Sequence, residues 1–330
     1  MRNVTKNHHF VAQVEQRLNS INSDVSKKNQ RIYTFDLINR ENYVLNLTSE
    51  NGERIENNLS FDDLFSFEIL DEKHRLNLEQ AFGVYEQNVG TLTESLLAKV
   101  KRNDGDIKEE ILEIFALKLI NSFRNPYCIK RTLNIIGQLS DYVPTDIKLN
   151  KLYVKIDNFS HPQWREIADR FSVSADDYKA WVKSLFMMLI PKTEDGINLL
   201  ELLIKHFFES KESSISVFIN EYSGTPDVHP LLSDRGFTYL TDDDKHITYE
   251  FNLSSTAFIT YIFTNIKTSI SNLMDAELVR KIISLNGRQP SEAKVVLISN
   301  NLEMLSRYNK RVIYQSHNKV FCKSKIVYGL

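Results

Sequence analysis

Two adjacent histidines near the start of the chain are the first side chains whose chemistry stands out. His8 and His9 follow Asn7, and an imidazole serves as a metal ligand, as a general acid or base, or as a cation that binds phosphate. Adjacent residues lie on opposite faces of a strand or a helix, so we expect no more than one of them to face a given site. The structural alternative is that one ring caps a short helix while the other is half-exposed.

Two short motifs place polar side chains at the ends of apolar segments. Arg124 is followed by Asn125 and Pro126 and ends the most apolar helix that the pattern predicts. Its guanidinium either interacts with the helix dipole or binds a phosphate or carboxylate as a fork. Ser233 and Asp234 follow the apolar sequence HPLL. Sites are common where strands end, although serine and aspartate are also common turn residues.

Acidic residues offer two weaker candidates. Asp36 lies in the predicted strand RIYTFDL, where alternation puts it on the face opposite its two apolar neighbours, and we expect solvent to cover that face. The three acids Asp242 to Asp244 resemble a metal-binding cluster, but consecutive acids at the tip of a hairpin usually form a solvated turn. A divalent metal ion remains a candidate cofactor, and the sequence does not identify its ligands.

The C-terminal segment is the one basic stretch of the sequence. It contains no aspartate or glutamate from residue 307 onwards, and Tyr308, Tyr314 and Phe321 are interleaved with its cations. Cations alternating with aromatic rings suit a nucleic-acid backbone and its bases. The structural alternative is an exposed strand pair that lysines protect against edge-to-edge aggregation. The candidate nucleic-acid-binding residues are Arg307, Lys310, Arg311, Lys319, Lys323 and Lys325.

Composition and missing motifs exclude several classes of protein. The formal net charge of −2 shows no overall basic excess, and the two cysteines have no metal-binding or redox spacing, so we expect a reducing, cytoplasmic location. No apolar run approaches the roughly 18 residues of a membrane span, and we expect no membrane insertion. The sequence contains no Walker loop, no Rossmann glycine pattern, no His-Glu-x-x-His zinc motif and no nucleophile elbow.

The hydrophobic pattern predicts an α+β fold in a single domain that covers residues 1–330. Residues 1–72 are predicted to form a short helix and a β-hairpin, residues 73–213 a helical segment, and residues 214–330 a β-rich segment with two helices, near 273–284 and 290–304. We expect the segments 310–316 and 319–330 to form a final strand pair. Because no linker separates the ends, we expect a mixed sheet built from both chain ends, with the helical segment between them.

Several of these motifs resemble those of a bacterial family, domain of unknown function 4238. The run from Asn7 to Gln13, NHHFVAQ, resembles the opening His-His-Tyr-Val-Pro-Gln of that family; IYTFD resembles its short strand ending in aspartate, NSFRNP its helix ending in arginine and proline, LSDRG its Thr-Ser-Asp-Asn-Pro motif, and FNLSSTAF its late apolar strand. Ala12 departs from the usual proline, and Arg235 with Gly236 departs from Asn-Pro. The resemblance implies one constellation that contains His8 or His9, Gln13, Arg124, Ser233 and Asp234.

These patterns lead to three hypotheses about function, and the toxin-like, defence-related character of the first is what the family resemblance implies. The first is a toxin-like, nucleic-acid-cleaving effector of bacterial or phage-defence type. In it a histidine is the acid–base group or a metal ligand, Asp234 a metal ligand or an orienting group, and Arg124 stabilises phosphoryl charge. Its partners would be RNA or DNA. The second is a non-catalytic binding or regulatory subunit of a multiprotein defence system, in which the polar cluster is a structural network. The third is a hydrolase of small nucleotides. Whether the chain is an enzyme stays open at this point.

Overall fold

A computed structural model describes residues 2–3, 5–71, 74–157, 164–210, 213–240, 245–265, 277, 281, 284 and 294–330. Asp242 to Asp244, and most of the helix predicted near 273–284, lie outside these residues. The strands of the described part are β1 (Arg2–Asn3), β2 (Asn7–His9), β3 (Arg31–Asn39), β4 (Val44–Leu47), β5 (Glu53–Arg54), β6 (Ser60–Asp62), β7 (Ser66–Asp71), β8 (His74–Asn77), β9 (Ser213–Glu221), β10 (Leu232–Ser233), β11 (His246–Ser254), β12 (Ala257–Asn265), β13 (Lys294–Ser299) and β14 (Lys319–Cys322).

The helices confirm the α+β class and the predicted helical segment between β-rich ends. The short predicted N-terminal helix is present, and a series of helices fills residues 79–209. The helices of the described part are α1 (Gln13–Arg17), α2 (Glu79–Glu86), α3 (Val89–Lys101), α4 (Lys108–Arg124), α5 (Ile129–Ile136), α6 (Ile147–Asp157), α7 (Trp164–Phe171), α8 (Ala175–Leu189), α9 (Leu199–Glu209) and α10 (Leu302–Gln315).

The chain forms two compact units, and each is assembled from three separate segments. Unit 1 consists of Met1–Val14, Ile55–Ser95 and Lys108–Leu202. Unit 2 consists of Glu15–Arg54, Leu96–Ile107 and Leu203–Leu330. Three of the five boundaries fall within α1, α3 and α9, and the other two lie between Arg54 and Ile55 and between Ile107 and Lys108. None lies at position 72 or 213, where the character of the sequence changes.

Unit 1 is mainly helical. The central helix α4 is buried over most of its length, as its apolar sequence predicts. It ends at Arg124 because Pro126 disfavours the helical conformation of Asn125, whose φ and ψ are extended. Helix α8 begins with the predicted cap, in which Ser174 and Asp177 form a reciprocal capping box. Two small sheets complete the unit, β1–β8–β7 and the antiparallel ribbon β2–β6.

Unit 2 contains the sheet that joins the two ends of the chain. Its strand order is β10–β14–β3–β4, with β5 also paired to β3, and the pairing is antiparallel throughout. The predicted hairpin β3–β4 is thus paired with the last strand of the described chain. The mixed pairing lies in the other sheet, β11–β12–β9–β13, in which β13 runs parallel to β9.

Two element predictions near the C-terminus were wrong. The predicted helix 290–304 is strand β13 over 294–299, and α10 begins only at Leu302. The segment 310–316, predicted as a strand, belongs almost entirely to α10. Asn301 caps the start of α10, and its side chain accepts a hydrogen bond from the backbone N–H of Met304. Strand β14 is paired on both sides, so it is not the exposed edge strand that the lysines were predicted to protect.

Candidate active site

His8 has both ring nitrogens engaged within unit 1. Its Nδ1 accepts a hydrogen bond from the backbone N–H of Phe65 at 2.9 Å. The proton therefore lies on Nε2, which donates to the carbonyl of Thr5 at 3.0 Å. The ring is fully buried and stacks on Phe65, with ring centroids 5.6 Å apart. These contacts fix the start of the chain against the residues before β7, so they give His8 a structural role, although it neither caps a helix nor is half-exposed.

His9 lies on the opposite face of β2, as strand alternation requires, and it has a different environment. The side-chain amide nitrogen of Gln13 lies 3.1 Å from its Nε2 and 3.3 Å from its Nδ1. The pKa of His9 is lowered to about 4, mainly by burial and to a smaller extent by the Arg124 guanidinium, while Glu86 opposes the shift. The imidazole is therefore neutral at physiological pH.

Arg124 is the most unusual side chain of unit 1, since it is only 1% exposed. Its Nη1 donates to Glu86 Oε1 at 2.7 Å, and its guanidinium lies over the ring of Phe82, 4.9 Å from the centroid. Among the described residues, Nε and Nη2 have no hydrogen-bond partner. A buried donor without a partner costs free energy comparable to a lost hydrogen bond, and an arginine that leaves two donors unused calls for an explanation.

Helix α2 brings two glutamates to Arg124. Glu79 and Glu86 are seven residues apart and therefore share a helix face with Phe82. The pKa of Glu79 is raised to about 7, because burial outweighs the opposing effect of Arg124 and Glu86 adds to the rise. Its Oε1 is buried and has no partner among the described residues. Sequence reasoning missed both acids, although their spacing at the two ends of EQAFGVYE was a usable signal.

We call these five residues the Arg124 cluster: His9, Gln13, Glu79, Glu86 and Arg124. It combines a carboxyl group that titrates near neutral pH, a neutral imidazole and a buried cation with unused donors. A group whose pKa lies near the working pH is suited to general acid–base catalysis, and a preorganised guanidinium is suited to a developing negative charge. Perturbed pKa values together with a specific charge partner are typical of functional sites.

Asp234 anchors a backbone loop inside unit 2. Its carboxylate accepts hydrogen bonds from the backbone N–H groups of His317 at 2.8 Å, Asn318 at 2.7 Å and Lys319 at 2.9 Å. Burial raises the pKa of Asp234, and the three amides and Arg235 oppose the shift. The carboxylate thus holds the loop between α10 and β14, which is a structural task.

Ser233 and Gly236 complete a tight turn around Asp234. The Ser233 hydroxyl pairs with Ser316 Oγ at 2.9 Å and accepts from the backbone N–H of Arg235 at 3.0 Å. The backbone N–H of Gly236 donates to the Ser233 carbonyl at 3.0 Å, and Gly236 has a φ of +81°. Proline has no N–H and a φ near −65°, so this turn differs from one that ends in Asn-Pro.

Most of the C-terminal cations are paired with acids of unit 2. Arg311 binds Glu250 through Nε at 2.8 Å and Nη2 at 2.7 Å. Three further pairs join Arg307 to Glu303, Lys319 to Asp36 and Lys325 to Glu50. Lys310 lies over the ring of Tyr43, and neither it nor Lys323 has an ion pair with an acid among the described residues. This pairing reduces the positive charge that the segment can offer to a phosphate backbone.

The predicted constellation is distributed over both units. His8, His9, Gln13 and Arg124 belong to unit 1, where His9, Gln13 and Arg124 lie in one cluster and His8 faces the other way. Ser233 and Asp234 belong to unit 2, where they hold a turn and a loop. A shared site of all six residues stays a prediction.

Metal-binding clusters and membrane-spanning helices are both absent from the described residues. No group of three or more histidine, cysteine, aspartate or glutamate side chains in that part of the chain could hold a metal ion. Within the same residues, no helix has the length and apolar character needed to cross a bilayer.

Fold and site together define an α+β protein with a buried arginine–glutamate–histidine cluster in its helical unit. Comparison of the chain with models of protein families, with curated proteins and with solved structures finds no match.

Proposed function

We propose that unit 1 carries a phosphodiester-cleaving active site, formed by the Arg124 cluster, and that the chain is a nucleic-acid-cleaving enzyme. The observation that carries this proposal is the free edge of Arg124. Glu86 occupies Nη1, while Nε and Nη2 have no partner among the described residues. Those two nitrogens form the side of the guanidinium that binds two oxygens of a phosphate or carboxylate at once.

The same chain shows what this edge does when an acid is present. Arg311 uses Nε and Nη2 to hold both carboxylate oxygens of Glu250, at 2.8 and 2.7 Å. Arg124 has the same edge available but has its glutamate on the other nitrogen. A phosphoryl group with two equatorial oxygens matches the vacant fork, and the buried position strengthens the attraction between them.

Glu79 supplies the acid–base chemistry in this proposal. The Glu79 carboxylate accepts the proton of the attacking hydroxyl, and a bond forms between that oxygen and phosphorus. The bond from phosphorus to the leaving oxygen breaks, the leaving oxygen takes a proton from water, and the hydroxide formed takes the proton from Glu79. A pKa of about 7 puts Glu79 in the range where a general base is most effective at physiological pH. His9 is neutral and held by Gln13, so it adds no second positive charge beside the reacting group.

Cleavage assays with single-stranded RNA and single-stranded DNA test the proposal. We expect the Arg124→Lys variant, which keeps the charge and loses the fork, to reduce the cleavage rate by about 100-fold or more. Arg131→Lys is the matched control, because Arg131 lies in unit 1 and contacts Ser122 rather than the Arg124 cluster. Equal rates for Arg124→Lys and wild type, or no cleavage of either nucleic acid, would contradict the proposal.

A hydrolase of small nucleotides is the second candidate. The observation that favours it is the burial of Arg124, because a small phosphate ester reaches a buried guanidinium more easily than a polymer backbone does. The same assay distinguishes the two candidates when nucleoside monophosphates and cyclic nucleotides are added as substrates. The toxin-like, defence-related role rests on the family resemblance alone, and RNA or DNA as the partner rests on this proposal.

A further inference from the structure

A polar recess of about 360 Å³ opens beside the β2–β6 ribbon in unit 1. Asn7, Asn57, Ser60, Glu166 and Arg170 contribute most of its polar groups. Its volume lies at the lower end of the range of about 300–1,000 Å³ that is usual for small-molecule sites. The recess is lined by amides, a hydroxyl, carboxylates and a guanidinium, a combination that offers both donors and acceptors.

The recess and the Arg124 cluster share one face of β2. Asn7 and His9 are two residues apart in this strand, so their side chains point to the same face. Two residues of a strand span roughly 7 Å. Across the ribbon, Asn7 is opposite Asp62 and His9 is opposite Ser60. Along β2, the Asn7 side of the recess therefore lies roughly 7 Å from His9 of the Arg124 cluster.

Charges in the recess are balanced. Lys6 pairs with Asp62 at 3.0 Å at its edge. Glu166 and Arg170 lie one turn apart on α7, both exposed, and neither has an ion pair among the described residues. The Arg170 guanidinium lies over the Phe61 ring, 5.2 Å from its centroid. A carboxylate without an ion pair and a guanidinium in the same recess suit a neutral ring with donors on one side and acceptors on the other.

We infer that the recess binds the base of an unpaired guanine nucleotide, as the specificity pocket of the active site proposed above. Guanine presents adjacent N1–H and N2–H donors, which one carboxylate can accept, and adjacent O6 and N7 acceptors, which a guanidinium or an amide can satisfy. Glu166 supplies the carboxylate, and Arg170 and Asn57 supply the donors. Adenine lacks both the N1–H and the 2-amino group, and it presents a donor where guanine has O6. Single-stranded nucleic acids are commonly recognised through such base edges.

Binding of free nucleosides to the full chain tests this inference. Nucleosides have no phosphate, so the vacant fork of Arg124 does not contribute to their binding. In equilibrium dialysis we expect guanosine to bind about ten times more tightly than adenosine, cytidine or uridine, with inosine between guanosine and adenosine because it lacks the 2-amino group.

Single substitutions test whether guanosine binds in the recess. We expect Glu166→Gln to weaken guanosine binding about tenfold and to leave adenosine binding unchanged. Asp169→Asn is the matched control, because Asp169 is an exposed acid of the same helix that does not line the recess. Arg124→Lys should leave guanosine binding unchanged, because guanosine has no phosphate. In the wild-type protein, guanosine binding without nucleic-acid cleavage would contradict the proposed function and still support the recess. Equal affinity for all nucleosides, undetectable guanosine binding, or an unchanged Glu166→Gln variant would overturn the inference.

Discussion

Arg124 and Arg311 both pair with a glutamate, and they differ in the side of the guanidinium that they use. Arg311 satisfies Nε and Nη2 with Glu250. Arg124 donates from Nη1 to Glu86, and its Nε and Nη2 have no hydrogen-bond partner among the described residues. A residue buried to this degree normally satisfies its donors, because each unmet donor costs about 1–3 kcal/mol. A ligand that accepts hydrogen bonds from Nε and Nη2 would offset this cost, so the site is complete only when its ligand is bound.

Glu79 should make stability depend on pH in a way that a Glu79→Gln variant does not. The folded-state pKa of about 7 lies above the usual 4.5, so the folded chain keeps a proton that the unfolded chain loses in this range. The contribution of Glu79 to the free energy of unfolding therefore falls as pH rises from 4.5 to 7. Because the side chain is half-buried, solvent screening limits the effect to about 1–2 kcal/mol.

Urea unfolding of wild type and Glu79→Gln at pH 4.5 and pH 8 measures this effect. His9, whose pKa is lowered to about 4, adds an opposite slope, in which stability is lost as pH falls from 6.5, but it is present in both proteins and cancels in the difference. From pH 4.5 to pH 8, we expect the free energy of unfolding of Glu79→Gln to increase by about 1–2 kcal/mol relative to that of wild type. A constant difference would show that Glu79 titrates normally.

Asp234 should behave as a structural residue. Asp234→Ala removes the acceptor of three backbone N–H groups, and we expect a loss of about 2–4 kcal/mol in the free energy of unfolding. Asp24→Ala, an exposed acid of unit 2, is the control and should change stability by less than about 0.5 kcal/mol. The folded fraction of Asp234→Ala should keep its cleavage rate. Unchanged stability with lost cleavage would instead place Asp234 in the active site.

At the residue scale, the sequence identified part of the cluster. His9, Gln13 and Arg124 were candidates from their motifs, and alternation correctly implied that only one histidine faces the cluster. Glu79 and Glu86 were missed because acids at both ends of a short helix are usually solvated. Their importance depends on α4 lying against α2, a contact between residues about 40 positions apart that one sequence does not reveal.

Elements with a long, uniform pattern were predictable, and short apolar runs were not. The seventeen residues of α4 and the cap at Ser174 follow from the sequence. The run KVVLIS of β13 was misread as helix because its four consecutive apolar residues fit a strand or a buried helix equally well. In α10 the β-branched Val312 and Ile313 suggested a strand, although they continue the helical spacing that begins at Leu305 and Tyr308.

The C-terminal cations should contribute weakly to nucleic-acid binding. With Lys310 and Lys323 as the cations without an acidic partner among the described residues, about two phosphate contacts are available. The log–log slope of affinity against salt should then be no steeper than about −2 on duplex DNA, whereas six contacts would give about −5. Fluorescence anisotropy between 50 and 200 mM salt, the range in which such slopes are usually resolved, measures this slope. A value near −5 would mean that the ion pairs with acids open on binding.

At the scale of the whole molecule, chain order and unit membership do not coincide. Unit 2 takes residues from both ends of the chain, and β14 pairs with β3 and β10. The sheet built from both chain ends could be predicted because its strands have recognisable hydrophobic patterns. The interleaved units could not be predicted, because the contacts that define them join segments up to 300 residues apart.

Removal of residues 319–330 should damage the two units unequally. The deletion removes β14, with its buried Val320, Phe321 and Cys322, from the interior of a sheet of unit 2. We expect hydrogen exchange to show lost amide protection in β3 and β10, and retained protection in α4 and α8 of unit 1, since each unit has its own buried core. Equal loss of protection in both units would show that they unfold together.

The central claim is that the open side of Arg124 binds a phosphodiester, and nuclear magnetic resonance of the arginine Nε–H groups tests it directly. The Arg124 resonance is identified by its absence in Arg124→Lys, and the Arg311 resonance, whose donors are occupied by Glu250, is the internal control. On titration with dimethyl phosphate, we expect a saturable shift of the Arg124 resonance and none of the Arg311 resonance. An unmoved Arg124 resonance, or equal drift of both, would contradict the claim.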